Sequence, residues 1–139
     1  MDLPINAYEK EILDSVMKKS ITIITGQTGS GKSIMVPQFL CKSGYRVFVT
    51  EPRRIATKNL ALSQKELIDD EYKSYVGYST AFEKSYSKDT KILYCTDGWQ
   101  LLFELSTREE VKNKVLIIDE VHEWNINVEA LIAWISKKL

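Results

Sequence analysis

The stretch "ITIITGQTGSGKSIMVPQFLCK", residues 21–42, decides the fold. A short β-branched run, "ITIITG", ends in glycine, and a helix is predicted from near Gly31 to Lys42, with Ser43-Gly44 stopping it. Between them "GQTGSGKS", Gly26 to Ser33, satisfies G-x-x-x-x-G-K-[ST] in its required strand-before, helix-after setting. Glycines let the backbone fold so that successive N–H groups point at one anion, and the helix N-terminus adds partial positive charge. The motif makes Gly26, Gln27, Thr28, Gly29, Ser30, Gly31, Lys32 and Ser33 a phosphate cradle. Lys32 reaches the outer phosphates and the Ser33 hydroxyl serves Mg²⁺. A functionless glycine-rich turn would explain the glycines but not Lys32-Ser33 at the helix entrance.

Strands and helices alternate around this unit. "NAYEKEILDSVMKKS" precedes it as an amphipathic helix, with Asn6 and Glu9 at capping-box spacing and Tyr8, Ile12, Leu13, Val16 and Met17 on one face. "YRVFVT" follows as a strand, and Pro52 opens a helix running to Ile68. Then come a weaker strand "YVGYS", the strand "KILYCT", the helix "GWQLLFELS", the strand "KVLIIDE" and a last helix "NVEALIAWISKKL". This order predicts an α/β domain of three layers, a mostly parallel sheet covered on both faces. Trp99, Leu101 and Leu102 are read as core rather than as a platform for bases.

Composition narrows the partners. Nineteen basic and nineteen acidic residues cancel over 139 residues, so contact with nucleic acid or membrane has to be local. Cys41 and Cys95 sit in apolar stretches without C-x-x-C spacing and read as buried free thiols in a reducing compartment. No apolar run has membrane-spanning length, and "MDLPINAYEK" lacks the layout of a signal peptide. The expectation is a soluble intracellular protein without a membrane partner.

"VLIIDEVHEW", residues 115–124, sets two carboxylates and the only histidine directly after an apolar strand. In a parallel sheet the strand C-termini share one edge, so Asp119 and Glu120 emerge on the rim that carries the Gly26 loop. Asp119 is then placed to hold Mg²⁺ through its water shell, and Glu120 to orient and deprotonate an attacking water. Ser33, Asp119 and Glu120 form the candidate metal set. Lys32, Asp119, Glu120 and His122 form the candidate catalytic set, with His122 as a coupling residue.

"GQTGSGKS" and "DEVHEW" together resemble the DEAH/DExH-box helicases, RNA-dependent motors of superfamily 2. The likeness continues in "TEPRRIATKNLA", "VGYSTAFE" and "YCTDGWQLL", in the family's order over nearly the whole chain. It implies that residues 1–139 are the N-terminal part of a P-loop, RecA-like ATP-binding domain using ATP or another NTP with Mg²⁺. It also implies that Arg53, Arg54 and Thr96 contact the backbone of single-stranded RNA, with Gly77 and Tyr78 near the strand path. Such phosphate contacts carry no sequence information.

Some positions differ from the family pattern. Glu51 stands where glutamine is common, Ala81 replaces the arginine of R-F-E, and Val121 and Trp124 depart within and after the box. Ser63 takes the place of a base-stacking arginine, which implies weak selection between ATP and other nucleotides. Relatives continue past this point into a strand ending Ser-Ala-Thr, which lies between the Gly26 and Asp119 strands, and into a second RecA-like domain with arginine fingers. The resemblance therefore implies an incomplete sheet, and a partner domain in the same or another chain. Arginine fingers contribute roughly 10³–10⁵ in turnover, so hydrolysis by this chain alone is expected to be slow or undetectable. Two other readings fit the same residues: a non-catalytic nucleotide- or partner-binding module, and a fragment of a DExH DNA translocase.

Overall fold

The computed structural model describes residues 3–26, 31–107 and 111–139. Five strands, β1 (Arg46–Glu51), β2 (Val76–Ser79), β3 (Lys84–Ser85), β4 (Ile92–Thr96) and β5 (Lys114–Ile118), form one sheet in the order β3-β2-β4-β1-β5. Every pairing is parallel except β2 with the two-residue β3. Among the described residues five α-helices accompany it: α1 (Glu9–Lys18), α2 (Lys32–Lys42), α3 (Arg54–Leu67), α4 (Asp97–Ser106) and α5 (Ile126–Ser136).

The sheet is covered on both faces because its central strands are apolar without alternation, as the three-layer expectation requires. Val47, Val49, Ile92, Tyr94 and Val76 pack with Val36, Phe39, Leu40 and Ala61 of α2 and α3, and Ile5 and Ile12 close that core. On the opposite face Phe48 meets Phe103 of α4, at 5.2 Å between ring centroids, and α4 packs against α5. Parallel strands put their C-terminal ends, at Glu51, Thr96 and Ile118, on one rim. That rim carries the residues discussed below.

Four local expectations are corrected. "ITIITG" is not a strand: among the described residues it pairs with none of the five, and Ile21 and Ile23 are exposed. β-Branched residues favour an extended chain, but a strand needs a neighbour to complete its ladder. Only Ile24 of the run packs against the core. The Asn6–Glu9 capping box is not formed, because a 3₁₀ turn over Pro4–Tyr8 leads in and Tyr8 becomes the N-cap of α1. The buried stripe of α1 is Ile12, Leu13 and Val16, while Tyr8 and Met17 face out. Finally, Trp99 does stack on Phe103 (5.4 Å, 15°), but Leu102 is exposed. Both cysteines are buried free thiols, as expected, and burial pushes both thiols up.

Candidate functional site

One glycine of the expected cradle cannot be replaced cheaply. Gly31, the N-cap of α2, has φ +90°, and a Cβ there would lie 2.5 Å from Leu3 Cδ1. Gln27, Thr28, Gly29 and Ser30 lie outside the described residues. Of the remaining cradle residues, Lys32 donates from Nζ to the Gly26 carbonyl at 2.6 Å. Ser33, one residue into α2, donates from Oγ to Asp119 Oδ2 at 2.6 Å. This bond joins the two motifs across 86 residues of chain.

Asp119 is positioned from both sides. Its backbone N–H extends the β5 ladder to Thr50 O (3.1 Å), and its Oδ1 accepts from Glu120 N (3.0 Å). Glu120 then takes φ +54°, a left-handed conformation that side chains seldom adopt. Glu123 N–H bonds Glu120 O at 2.9 Å and closes the turn. His122 Nε2 stands 3.1 Å from Glu120 Oε2. Beyond the turn, Asn125 caps α5 by accepting from Asn127 and Val128 N–H, and donates to Asp97 Oδ2 at 2.8 Å. Asp97 follows Thr96, which ends β4 opposite Glu51 in register.

A cleft of about 440 Å³ opens over these groups, lined by Ser33, Asp119 and Glu120 on one side and by Arg53, Asn59 and Ser63 on another. Glu51 also lines it, 3% exposed, with Oε2 lacking a hydrogen-bond partner among the described residues. Burial, a hydrogen bond shared with Asp119 and the negative charges of Asp119 and Glu120 push its carboxyl up to about 10. The cleft thus gathers hard oxygen donors and surplus negative charge, a donor set that suits Mg²⁺.

The expected RNA contacts flank this cleft without forming one cluster. Arg53 pairs with Glu123, Nη2 to Oε2 at 2.9 Å. Arg54 lies over the exposed Phe82 ring, 4.3 Å from its centroid. Thr96 sits at the β4 end on the same rim.

The sequence profile for DEAD/DEAH box helicase matches residues 6–139. The chain belongs to the DEAD/DEAH box helicase family. Among curated proteins, it is 36% identical over 140 residues to "Pre-mRNA-splicing factor ATP-dependent RNA helicase DEAH10" of Arabidopsis thaliana, which covers 97% of this chain and 20% of that one. It is 36% identical over 148 residues to "Probable ATP-dependent RNA helicase DHR1" of Saccharomyces cerevisiae, covering 99% and 12%. It is 35% identical over 138 residues to "Probable ATP-dependent RNA helicase DHX40" of Homo sapiens, covering 96% and 18%. The chain therefore spans a fifth or less of the length of these relatives. Among the described residues no helix is long and apolar enough to cross a membrane.

The entrance of α2 is supported by residues that motif reading missed. Pro37 lies inside α2, four residues after Ser33, so it offers no N–H to the Ser33 carbonyl and its ring crowds that oxygen. Tyr94 OH, fully buried in β4, donates to Ser33 O at 2.7 Å instead. Gln64 Nε2 reaches Tyr94 OH (3.1 Å) and Ile34 O (2.7 Å), and Gln38 Nε2 holds Gln64 Oε1 (2.7 Å). Burial is the main cause that pushes the Tyr94 phenol up, so it remains a donor. The proline inside a helix was the available signal; the partners that answer it lie on other elements.

Glu51 gives a pH prediction for this chain in the absence of added metal and nucleotide. Its carboxyl titrates higher folded (about 10) than in its ordinary range (4.5), so between those values the native state holds a proton that the unfolded chain has lost. Stability therefore falls as pH rises through that window. Glu51→Gln removes the titration and keeps a donor for Asp119. The unfolding free energy of the parent chain, followed by thermal melts, is expected to fall from pH 6 to 9 relative to the variant, by up to about 1.4 kcal/mol per pH unit. Parallel curves for the two proteins would overturn the assignment of a proton to Glu51.

Proposed function

We propose that residues 1–139 are the N-terminal part of the ATP-binding RecA-like domain of an ATP-dependent RNA helicase. Joined by a second RecA-like domain, in the same or another chain, the complete engine couples ATP hydrolysis to movement along single-stranded RNA. The observation that carries this reading is the Ser33 Oγ–Asp119 Oδ2 bond of 2.6 Å. It brings the hydroxyl expected at the metal and the carboxylate expected in its shell to one point, at the mouth of the glycine loop. The names of the relatives, all RNA helicases, support RNA as the nucleic acid.

In this reading the backbone N–H groups of the cradle and Lys32 bind the phosphates of ATP or another NTP. Ser33 and Asp119, with Glu120 nearby, would hold Mg²⁺, whose chemistry when bound is to neutralise charge building on the phosphate oxygens. Glu120 orients the attacking water and takes its proton. His122, at 3.1 Å from Glu120, reports the state of that carboxylate to the second domain. Ser63, which offers no planar group for stacking, lines the cleft and leaves selection between bases weak.

Arg53, Arg54 and Thr96 grip the RNA backbone. Arg53→Ala combined with Arg54→Ala is expected to weaken binding of labelled single-stranded RNA about equally for every sequence. The dependence of log K on log salt should flatten by about 0.7 for each phosphate no longer neutralised. A weakening confined to one sequence, or none at all, would overturn the backbone-contact role. The same titration with DNA tests the choice of sugar, because only RNA offers a 2′-hydroxyl.

A further inference from the structure

Arg53 stands between two clefts. It lines the one containing Ser33, Asp119 and Glu120, and also a neighbouring open cleft of about 580 Å³ formed with Pro52, Arg54, Ile55, Ala56 and Asn59. Its side chain is 68% exposed, so a ligand in the outer cleft can reach the guanidinium. Its partner is Glu123, whose two carboxylate oxygens take Nη2 at 3.0 and 2.9 Å.

Glu123 belongs to the acidic turn. Its N–H closes that turn on Glu120 O at 2.9 Å, around a Glu120 held at φ +54°. The far end of the loop is held separately, by Asn125 on Asp97 and on the first turn of α5. The grip of Arg53 on Glu123 therefore bears on the turn itself, which carries Glu120 and His122. An exposed ion pair of this kind is weak. A guanidinium accepts a phosphate fork as readily as a carboxylate.

We infer that the Arg53–Glu123 ion pair is a latch between the two ligands: a phosphodiester of single-stranded RNA in the outer cleft competes with Glu123 for Arg53. The exchange frees the turn that aims Glu120. This rests on the reading of the outer cleft as the RNA side of a helicase domain. It deepens that reading by naming how RNA reports to the nucleotide carboxylates. Because coupling between two binding sites is reciprocal, RNA changes ATP·Mg²⁺ affinity by the factor with which ATP·Mg²⁺ changes RNA affinity.

The test is a double-mutant cycle on the 139-residue chain, read by fluorescence anisotropy with a labelled oligouridylate. The proteins are the parent chain, Glu123→Gln, Arg53→Ala and the double variant. Both side chains reach the surface, and thermal melts check that each variant folds. Glu123→Gln is expected to tighten RNA binding about two- to fivefold when Arg53 is present, and to change nothing in the Arg53→Ala background. The factor by which saturating RNA shifts the affinity for a fluorescent ATP analogue should also shrink towards one in Glu123→Gln. Equal tightening in both backgrounds would reduce Glu123 to a general repulsive charge and overturn the latch. No tightening would overturn it too, and in either case RNA binding by the parent chain leaves the helicase reading standing. Failure of the parent chain and of Glu123→Gln to bind RNA would remove that reading and the latch with it.

Discussion

Lys32→Ala is expected to weaken ATP·Mg²⁺ binding by about 30- to 1,000-fold, the cost of truncating a desolvated charge partner of a bound anion, about 2–4 kcal/mol. Lys32 Nζ rests on the Gly26 carbonyl at 2.6 Å, at the opening of the cradle. If residues 26–33 cradle the phosphates, this contact with Gly26 is one that an arriving anion can replace. The neighbouring carboxylates sharpen the effect. Asp119 and Glu120 line the cleft, so a chain without the lysine meets a nucleotide with the wrong sign of charge. Calorimetry, or titration with a fluorescent ATP analogue, reads the change directly. Unchanged affinity would overturn the assignment of residues 26–33 as the phosphate cradle.

Glu120→Gln is expected to separate binding from chemistry. With the second RecA-like domain supplied, nucleotide affinity should stay within about threefold while RNA-stimulated phosphate release falls by about 10²–10⁴, the range for loss of a general base. The amide keeps the shape of the side chain and its place beside His122 but cannot take a proton. Glu120 is held at φ +54° by the turn to Glu123 and by its N–H bond to Asp119 Oδ1. A left-handed conformation at a side-chain-bearing residue costs of order 1–3 kcal/mol and persists where the surroundings impose it. Turnover that survives the substitution would move the base elsewhere. A parent protein that binds ATP but shows no RNA-stimulated release, even with the second domain, would make this a non-catalytic nucleotide-binding module.

The arrangement of elements is legible where a local pattern carries its own physics. "YRVFVT", "KILYCT" and "KVLII" are apolar runs bounded by polar residues, and they form β1, β4 and β5 at the centre and one edge of the sheet. Gly31 and Gly44 bracket α2 because only glycine takes their positive φ cheaply. "ITIITG" departs from its pattern for the complementary reason. Its β-branched composition states a preference for extended backbone, whereas a ladder depends on a neighbour that no local pattern encodes. The capping box fails similarly, since Pro4 draws the chain into a 3₁₀ turn before Asn6 can cap α1.

The candidate site divides along the same line. Residue type and short spacing set the chemistry available: a glycine loop ending in Lys32-Ser33, an acidic pair at the end of an apolar strand, and two adjacent arginines at a helix entrance. The chain carries all of that locally, before any folding. Which groups meet is a property of the folded chain. Folding brings Ser33 onto Asp119, Tyr94 onto the carbonyl left open by Pro37, Glu51 under the acidic pair, and Arg53 onto Glu123. Each of these contacts joins residues many positions apart, and all but the one made by Tyr94 exist because parallel strands deliver their C-terminal ends to a single rim. Charge complementarity between Arg53 and Glu123, 70 residues apart, has no signature in the sequence until the sheet order sets β1 beside β5.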